Sequence, residues 1–153
     1  MKEEKLLYAD ETYAIRGAAF EVYKEMGNAF DENVYQECME IALKERGVEF
    51  EPQKELPLKF KGKMLRRFYQ PDLFCFGKII VELKASAAIA DVHRAQLLNY
   101  LRITGCRLGL LINFGTHPKV SIERFVLWHK RQVPRSSPAG RISVSHPSRK
   151  PER

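Results

Sequence analysis

Hydrophobic and polar positions along this chain follow two different periods, and the switches between them mark out its elements. Ala14, Ala18 and Val22 recur every four positions, with Ala19 and Met26 widening the stripe. This spacing predicts an amphipathic helix over 11–26, opened by Asp10 and ended by Gly27-Asn28. Asp31 is a favoured cap for a second helix through Arg46, which is expected to bury Val34, Cys38, Ile41 and Ala42 and to stop at Gly47. From there the period falls to two. Strands are expected over 48–51, 55–60, 64–76 and 79–84, with turns at Lys61-Gly62 and Gly77. Asp91 opens a third helix to about Thr104, with Ala95, Leu98 and Leu101 inward and Gly105 closing it. Strands over 107–114 and 120–127 complete the set, and no internal repeat is present. The order predicts an α/β fold: a central mixed β-sheet, made of a β-meander and further strands, flanked by helices.

The chemically unusual segment is the hairpin from Gln70 to Lys84, whose only acids are Asp72 and Glu82. Side chains alternate along a strand, so Glu82 and Lys84 share one face while Val81 and Leu83 take the other. A three-residue loop centred on Gly77 sets Asp72 across from Glu82, Phe74 from Ile80, and Leu73 from Val81. The Leu73/Val81 and Cys75/Ile79 pairs then make a clean apolar layer on the opposite face. Opposed residues hold their Cβ atoms about 4.5–5.5 Å apart, a distance at which like charges repel. A hard cation between the carboxylates removes that repulsion, and Mg²⁺ typically takes one or two carboxylates plus water and phosphate oxygens. A register slipped by one residue would instead put the two acids on opposite faces. Asp72 would then cap a turn, and Glu82 and Lys84 would be solvated edge residues. Spacing alone leaves both arrangements open.

Composition narrows the setting. A chain of 153 residues has the length of one domain, and 44% apolar residues suffice for a core. No apolar run approaches the length needed to cross a bilayer, and Met1-Lys2-Glu3-Glu4-Lys5 lacks the layout of a secretion signal. Cys38, Cys75 and Cys106 are odd in number, widely spaced and set among apolar residues. They read as thiols of a reducing, cytoplasmic protein and not as a disulfide frame, a zinc site or an iron–sulfur cluster. The net charge of +7 is unevenly placed: residues 130–153 carry seven basic side chains and one acid, the preceding 129 carry 19 and 18. A Ser- and Pro-rich basic tail over 130–153 is expected to be disordered, serving as a phosphate-attracting or a solubilising appendage to a domain over 1–129. No Gly-rich phosphate loop is present, which argues against a kinase-like nucleotide site.

Pro71-Asp72 and Glu82-Leu83-Lys84 on a meander, followed by a helix and a strand, resemble the PD-(D/E)XK nuclease superfamily. More narrowly, the chain is similar to the prokaryotic GxxExxY family over about residues 8–128. The shared blocks are 17–27 (GAAFEVYKEMG), 32–38 (ENVYQEC), 80–84 (IVELK), 95–101 (AQLLNYL) and 108–114 (LGLLINF). One departure falls in the signature: Ala29 stands where the family has glycine, although Glu32 and Tyr35 keep their places.

This resemblance implies a RecB-like, restriction-endonuclease-like core that hydrolyses phosphodiester bonds of nucleic acid with Mg²⁺ or Mn²⁺, DNA being favoured over RNA. It implies that Asp72, Glu82 and the backbone carbonyl of Leu83 hold the metal, with Glu32 as a third acid. Lys84 would orient or activate the attacking water. Gln96 and Tyr100 match the Gln-xxx-Tyr element of RecB-like members and would contact the substrate strand, as would Tyr35 on the face it shares with Glu32. Plainer causes exist for some of these. An acid in a first helical turn is favoured by the helix dipole alone, and Tyr100 also suits an amphipathic helix. His93 reads as a surface residue of its helix, and Arg66 and Arg67 as phosphate contacts or as solvated strand-edge cations. The alternative to an enzyme is the same fold kept as a nucleic-acid-binding or interaction module.

Overall fold

The period-two segments fold into two sheets, not one: the chain leaves the main sheet over 53–55 and returns to it after Pro71. A computed structural model of the chain describes residues 6–128; the basic tail over 130–153 lies outside the described residues. In chain order the elements are α1 (Ala9–Met26), α2 (Glu32–Glu45), β1 (Phe50–Pro52), β2 (Leu56–Phe60), β3 (Lys63–Tyr69), β4 (Leu73–Cys75), β5 (Ile79–Lys84), α3 (Asp91–Thr104), β6 (Leu108–Asn113) and β7 (Ser121–Val126). The main sheet has the order β1-β4-β5-β6-β7, and β2 and β3 form a separate hairpin. Only β5 and β6 pair in parallel, joined through α3; the other pairs are antiparallel. The sheet is therefore mixed and helix-flanked, as the pattern predicts. The single strand expected over 64–76 is instead broken at Gln70-Pro71-Asp72, where a proline without an N–H cannot continue a ladder.

Each face of the main sheet buries its own core. Odd positions of β4 and β5 (Leu73, Cys75, Ile79, Val81, Leu83) pack with Leu108, Leu110 and Ile112 of β6 against α1 and α2. Even positions Phe74 and Ile80 join Leu111, the α3 residues Leu97 and Leu101, and Leu56 and Tyr69 of the hairpin. The absence of a side chain at Gly109 lets Leu97 approach the sheet: a Cβ there would meet Leu97 Cδ1 at 3.0 Å. α1 and α2 therefore lie on one side, α3 and the hairpin on the other.

Three helix details differ from the sequence expectation. α1 starts two residues earlier in the chain than a cap at Asp10 requires, with Tyr8 at its N-cap (φ 54°) and Asp10 in its first turn. The stripes of α2 and α3 are each rotated by about one residue. Tyr35, Met39, Ala42 and Leu43 are the buried positions of α2, and Ile41 is 54% exposed. Leu97 and Leu101 are the buried positions of α3, while Ala95 and Leu98 face outward. In α2 the larger Tyr35 and Met39 take the inward places expected for Val34 and Cys38, filling more of the space above the sheet, and in α3 Leu97 is the leucine that fits over Gly109. Asp31 does cap α2, its Oδ1 accepting from Val34 N at 3.2 Å. No described helix is long and apolar enough to cross a membrane.

The loops at the C-terminal ends of β5 and β6 are knotted together by one buried amide. Asn113, 1% exposed, accepts from Ser86 N (3.1 Å) and Gly115 N (3.0 Å) through Oδ1 and donates from Nδ2 to Ser86 O (2.8 Å). The Ser86 backbone passes so close that a Cβ on Gly115 would meet it at 2.3 Å. Asn113→Leu should therefore lower the unfolding free energy by about 2 kcal/mol, since the partner groups lose their hydrogen bonds. Urea denaturation of the two proteins checks this; an unchanged midpoint would show that water replaces the amide.

Candidate active site

The β4–β5 register decides whether the two acids meet. Leu73 pairs with Val81, Phe74 with Ile80, and Cys75 with Ile79. That is the unslipped register, and one step beyond it Asp72 faces the Glu82–Leu83 segment. Phe76 (φ 56°) and Gly77 (φ 66°) make the turn, with Lys78 N donating to Cys75 O at 3.1 Å. Asp72 Oδ2 accepts from the backbone N–H of Leu83 at 2.7 Å. The N–H and C=O of a paired strand residue point to the same side. The Leu83 carbonyl is thus turned toward Asp72, past the end of β4, while Lys84 O turns the other way to accept from Phe114 N at 2.8 Å.

Glu82 is held in an uncomfortable place. Burial and the neighbouring Asp72 charge push its carboxyl up from the ordinary 4.5 to about 8. Lesser effects oppose this: the Tyr69 hydroxyl donates to Glu82 Oε1, and the Lys84 ammonium lies nearby. Tyr69 in turn has its phenol held strongly protonated, by burial and by the Glu82 charge. Its ring stacks on Tyr100, with centroids 3.6 Å apart and planes 7° from parallel.

A pocket of about 140 Å³ opens beside these groups, lined by Glu82 and Lys84 from β5, Gln96 and Tyr100 from α3, and Tyr69, Gln70 and His93. Parity explains the grouping. Even positions of β5 face α3, and Gln96 and Tyr100 lie one turn apart on the helix side next to the buried Leu97 and Leu101. A wider depression of about 460 Å³ lies between α1 and the β6–β7 connection, around Arg16, Phe20, His117 and Lys119. Its lining contains no carboxylate to neutralise a hard cation.

Glu32 and Tyr35 fare differently. Both belong to α2, across the sheet from α3. Gln36, one turn beyond Glu32, donates to Asp72 O at 2.8 Å, so the start of α2 abuts the acid-bearing loop. Glu32 itself is exposed, and no group of three or more His, Cys, Asp or Glu side chains gathers as a ready metal cage among the described residues. Tyr35 is not a surface residue. It is fully buried, stacks on Phe114 at 4.4 Å, and its hydroxyl donates to Gly27 O at 2.5 Å and accepts from Phe30 N. A side chain without exposed surface cannot touch a polynucleotide; Tyr35 pins the α1–α2 loop, which includes Ala29.

Tyr69, Gln70 and Gln36 are absent from the sequence-based site. The signal for the first two was Pro71: a strand broken there ends a hairpin at Tyr69, beside Asp72. His93 also differs from its expected surface role, for it lines the pocket and its Nδ1 is buried without a hydrogen-bond partner among the described residues.

A family model for the PD-(D/E)XK nuclease superfamily matches residues 9–125. The chain belongs to this superfamily. A solved structure titled "Crystal structure of SSO0001" is similar in fold, with a TM-score of 0.52 and 18% identity, covering 85% of this chain and 71% of that one. No curated protein matches the sequence. Membership of the superfamily accounts for the restriction-endonuclease-like arrangement of a mixed sheet between helices.

A carboxyl raised by folding makes the folded state less favourable once it ionises. Below about pH 4.5 Glu82 is protonated in both folded and unfolded chains, and it costs nothing. Between pH 4.5 and about 8 only the unfolded chain releases the proton, so its contribution to stability falls as pH rises. In metal-free buffer, the melting temperature of the wild type should drop relative to Glu82→Gln as pH is raised from 5 to 9. Parallel curves for the two proteins would show that Glu82 titrates normally.

Proposed function

We propose that this protein is a metal-dependent nuclease, using Mg²⁺ or Mn²⁺ to hydrolyse phosphodiester bonds in nucleic acid, with DNA the favoured substrate. One observation carries it: two carboxylates are forced together beside a lysine, at a pocket whose far wall is Gln96 and Tyr100. The donor set fits the ion. Asp72, Glu82 and the Leu83 carbonyl are all oxygen donors, the choice of a hard cation. Without an ion, Glu82 escapes the repulsion by holding a proton. The GxxExxY resemblance supports the same assignment, as do three free thiols for a cytoplasmic setting.

When bound, a divalent ion at these oxygens supplies Lewis acidity toward the scissile phosphate and lowers the pKa of an attacking water. The chain's own groups do the rest. Lys84 places a positive charge next to the attacked phosphate, where negative charge develops. Gln96 and Tyr100 hold the substrate strand against the pocket wall. Tyr69 keeps Glu82 in position by the hydrogen bond its hydroxyl donates. Glu32, at the start of the helix whose Gln36 holds the Asp72 carbonyl, would be the third acid of the ion's shell, directly or through water.

A binding-only reading draws on one observation, that the Tyr69 hydroxyl already occupies Glu82. Calorimetric titration with Mg²⁺ or Mn²⁺ separates the two, since a pure binder takes up no ion dependent on Asp72 and Glu82. Labelled DNA and RNA incubated with either ion should be cut by the wild type. Glu82→Ala, Lys84→Ala and Asp72→Asn should each lose about a hundredfold or more of that activity. Asparagine is chosen at 72 because its amide oxygen can still accept from Leu83 N. Full activity in Glu82→Ala would refute the assignment.

A further inference from the structure

The β2–β3 hairpin joins the core through Leu56 and Tyr69 at its base, yet beyond that base it carries a dense cluster of positive charge. Residues 56–69 contain five cations, Lys59, Lys61, Lys63, Arg66 and Arg67, and no acid. Without them residues 1–129 hold fourteen basic against eighteen acidic side chains, a net of −4. The folded body is thus acidic and the hairpin is its one strongly basic projection. All five cations are exposed, and none forms an ion pair among the described residues, whereas Arg46, Lys54, Lys78 and Arg94 each do.

Apolar side chains are interleaved with this charge. Phe60 is 63% exposed, Met64 68%, Leu65 44% and Phe68 46%. Exposed aromatic and aliphatic groups set among cations are the composition of a surface that meets both phosphates and bases. At the apex, Lys61 (φ 50°) and Gly62 (φ 75°) both adopt the left-handed conformation. Asn or Asp would favour that turn locally; lysine keeps a cation at the tip. Register places Lys59 opposite Met64 and Lys63 opposite Phe60, so successive pairs carry cations on opposite faces of the ribbon. A shift in that register puts extra residues of β3, Arg66 and Arg67 among them, opposite Leu58, and such bulges bend and twist a ribbon.

We propose that this hairpin is an arm that grips duplex DNA and delivers it to the carboxylate pocket. The inference rests on the nuclease reading above and deepens it. A two-stranded ribbon fits the major groove, and cations on both faces answer the phosphate walls on either side. The root of the arm is the site itself: Tyr69 ends β3 with its hydroxyl on Glu82, and Gln70 lines the pocket. DNA held by the arm is therefore presented within two residues of the chain that bears Asp72.

The test measures binding of a labelled duplex to the full chain by fluorescence anisotropy in EDTA, across a salt series. A five-site variant replaces Lys59, Lys61, Lys63, Arg66 and Arg67 by Gln. Its affinity at 0.1 M salt should fall by roughly 30-fold or more, and the slope of log K against log salt should lessen by about three. The double variant Lys61→Glu, Lys63→Glu gives the same readout if the five-site protein does not fold. Unchanged affinity and slope would overturn the arm. So would tighter, arm-dependent binding of single-stranded DNA or RNA than of duplex, or loss of self-association in place of duplex binding. Mg²⁺-dependent hydrolysis of bis(p-nitrophenyl) phosphate, too small to need the arm, should survive in the five-site variant. Its absence from the wild type would count against the nuclease reading, whatever the arm binds.

Discussion

The structure depends on a repulsion that the fold does not relieve. Asp72 and Glu82 belong to neighbouring segments whose separation is set by a hairpin, and the hairpin is fixed by apolar pairs that have nothing to do with the acids. Burying Leu73, Cys75, Ile79 and Val81 against α1 and α2 leaves the opposite face no choice about which side chains it presents. Each such burial stabilises by about 1.5–3 kcal/mol, enough together to hold a pair of carboxylates that would otherwise separate. A proton on Glu82 and the Tyr69 hydroxyl moderate the conflict in the metal-free protein.

Labour is divided across the sheet. One side is a conventional core in which α1, α2 and a buried tyrosine hold the scaffold. On the other side α3 packs with only two fully inward leucines and leaves its remaining exposure to a polar pocket. The hairpin joins that second side through Leu56, Leu58 and Tyr69, and its apex, residues 59–68, is exposed. Charge follows the same division, with an acidic body and a basic projection meeting at the pocket.

Much of this was legible because it rests on parity and spacing. The β4–β5 register, the shared face of Glu82 and Lys84, the Asp31 cap and the Gln96–Tyr100 pair all follow from periods of two and of about four. What was not legible depended on tertiary competition. Val34 and Tyr35 are adjacent candidates for the inward face of α2, and the Phe114 ring just past β6, in the same core, selects the larger. The same competition turned Leu98 outward in favour of Leu97, which fits over Gly109. The break at Pro71 was written in the sequence, but an apolar run on both sides of it concealed the change of sheet. Tyr69 followed from that break and was missed with it. The meeting of α2 with Asp72 through Gln36 joins residues 36 positions apart and carries no local signature.

The three-residue bend at Phe76-Gly77-Lys78 has a consequence for how this protein can vary. Two of its residues already sit at positive φ, and the loop lies at the surface, so substitutions there are a matter of modest local strain. Insertion or deletion of a single residue is another matter. It would exchange the two sides of β5, driving an ammonium and a carboxylate into the larger core and expelling leucine and valine into the pocket. Chain length at this bend is therefore held far more tightly than chemical identity, and descendants of this sequence should differ there by replacement and not by gaps.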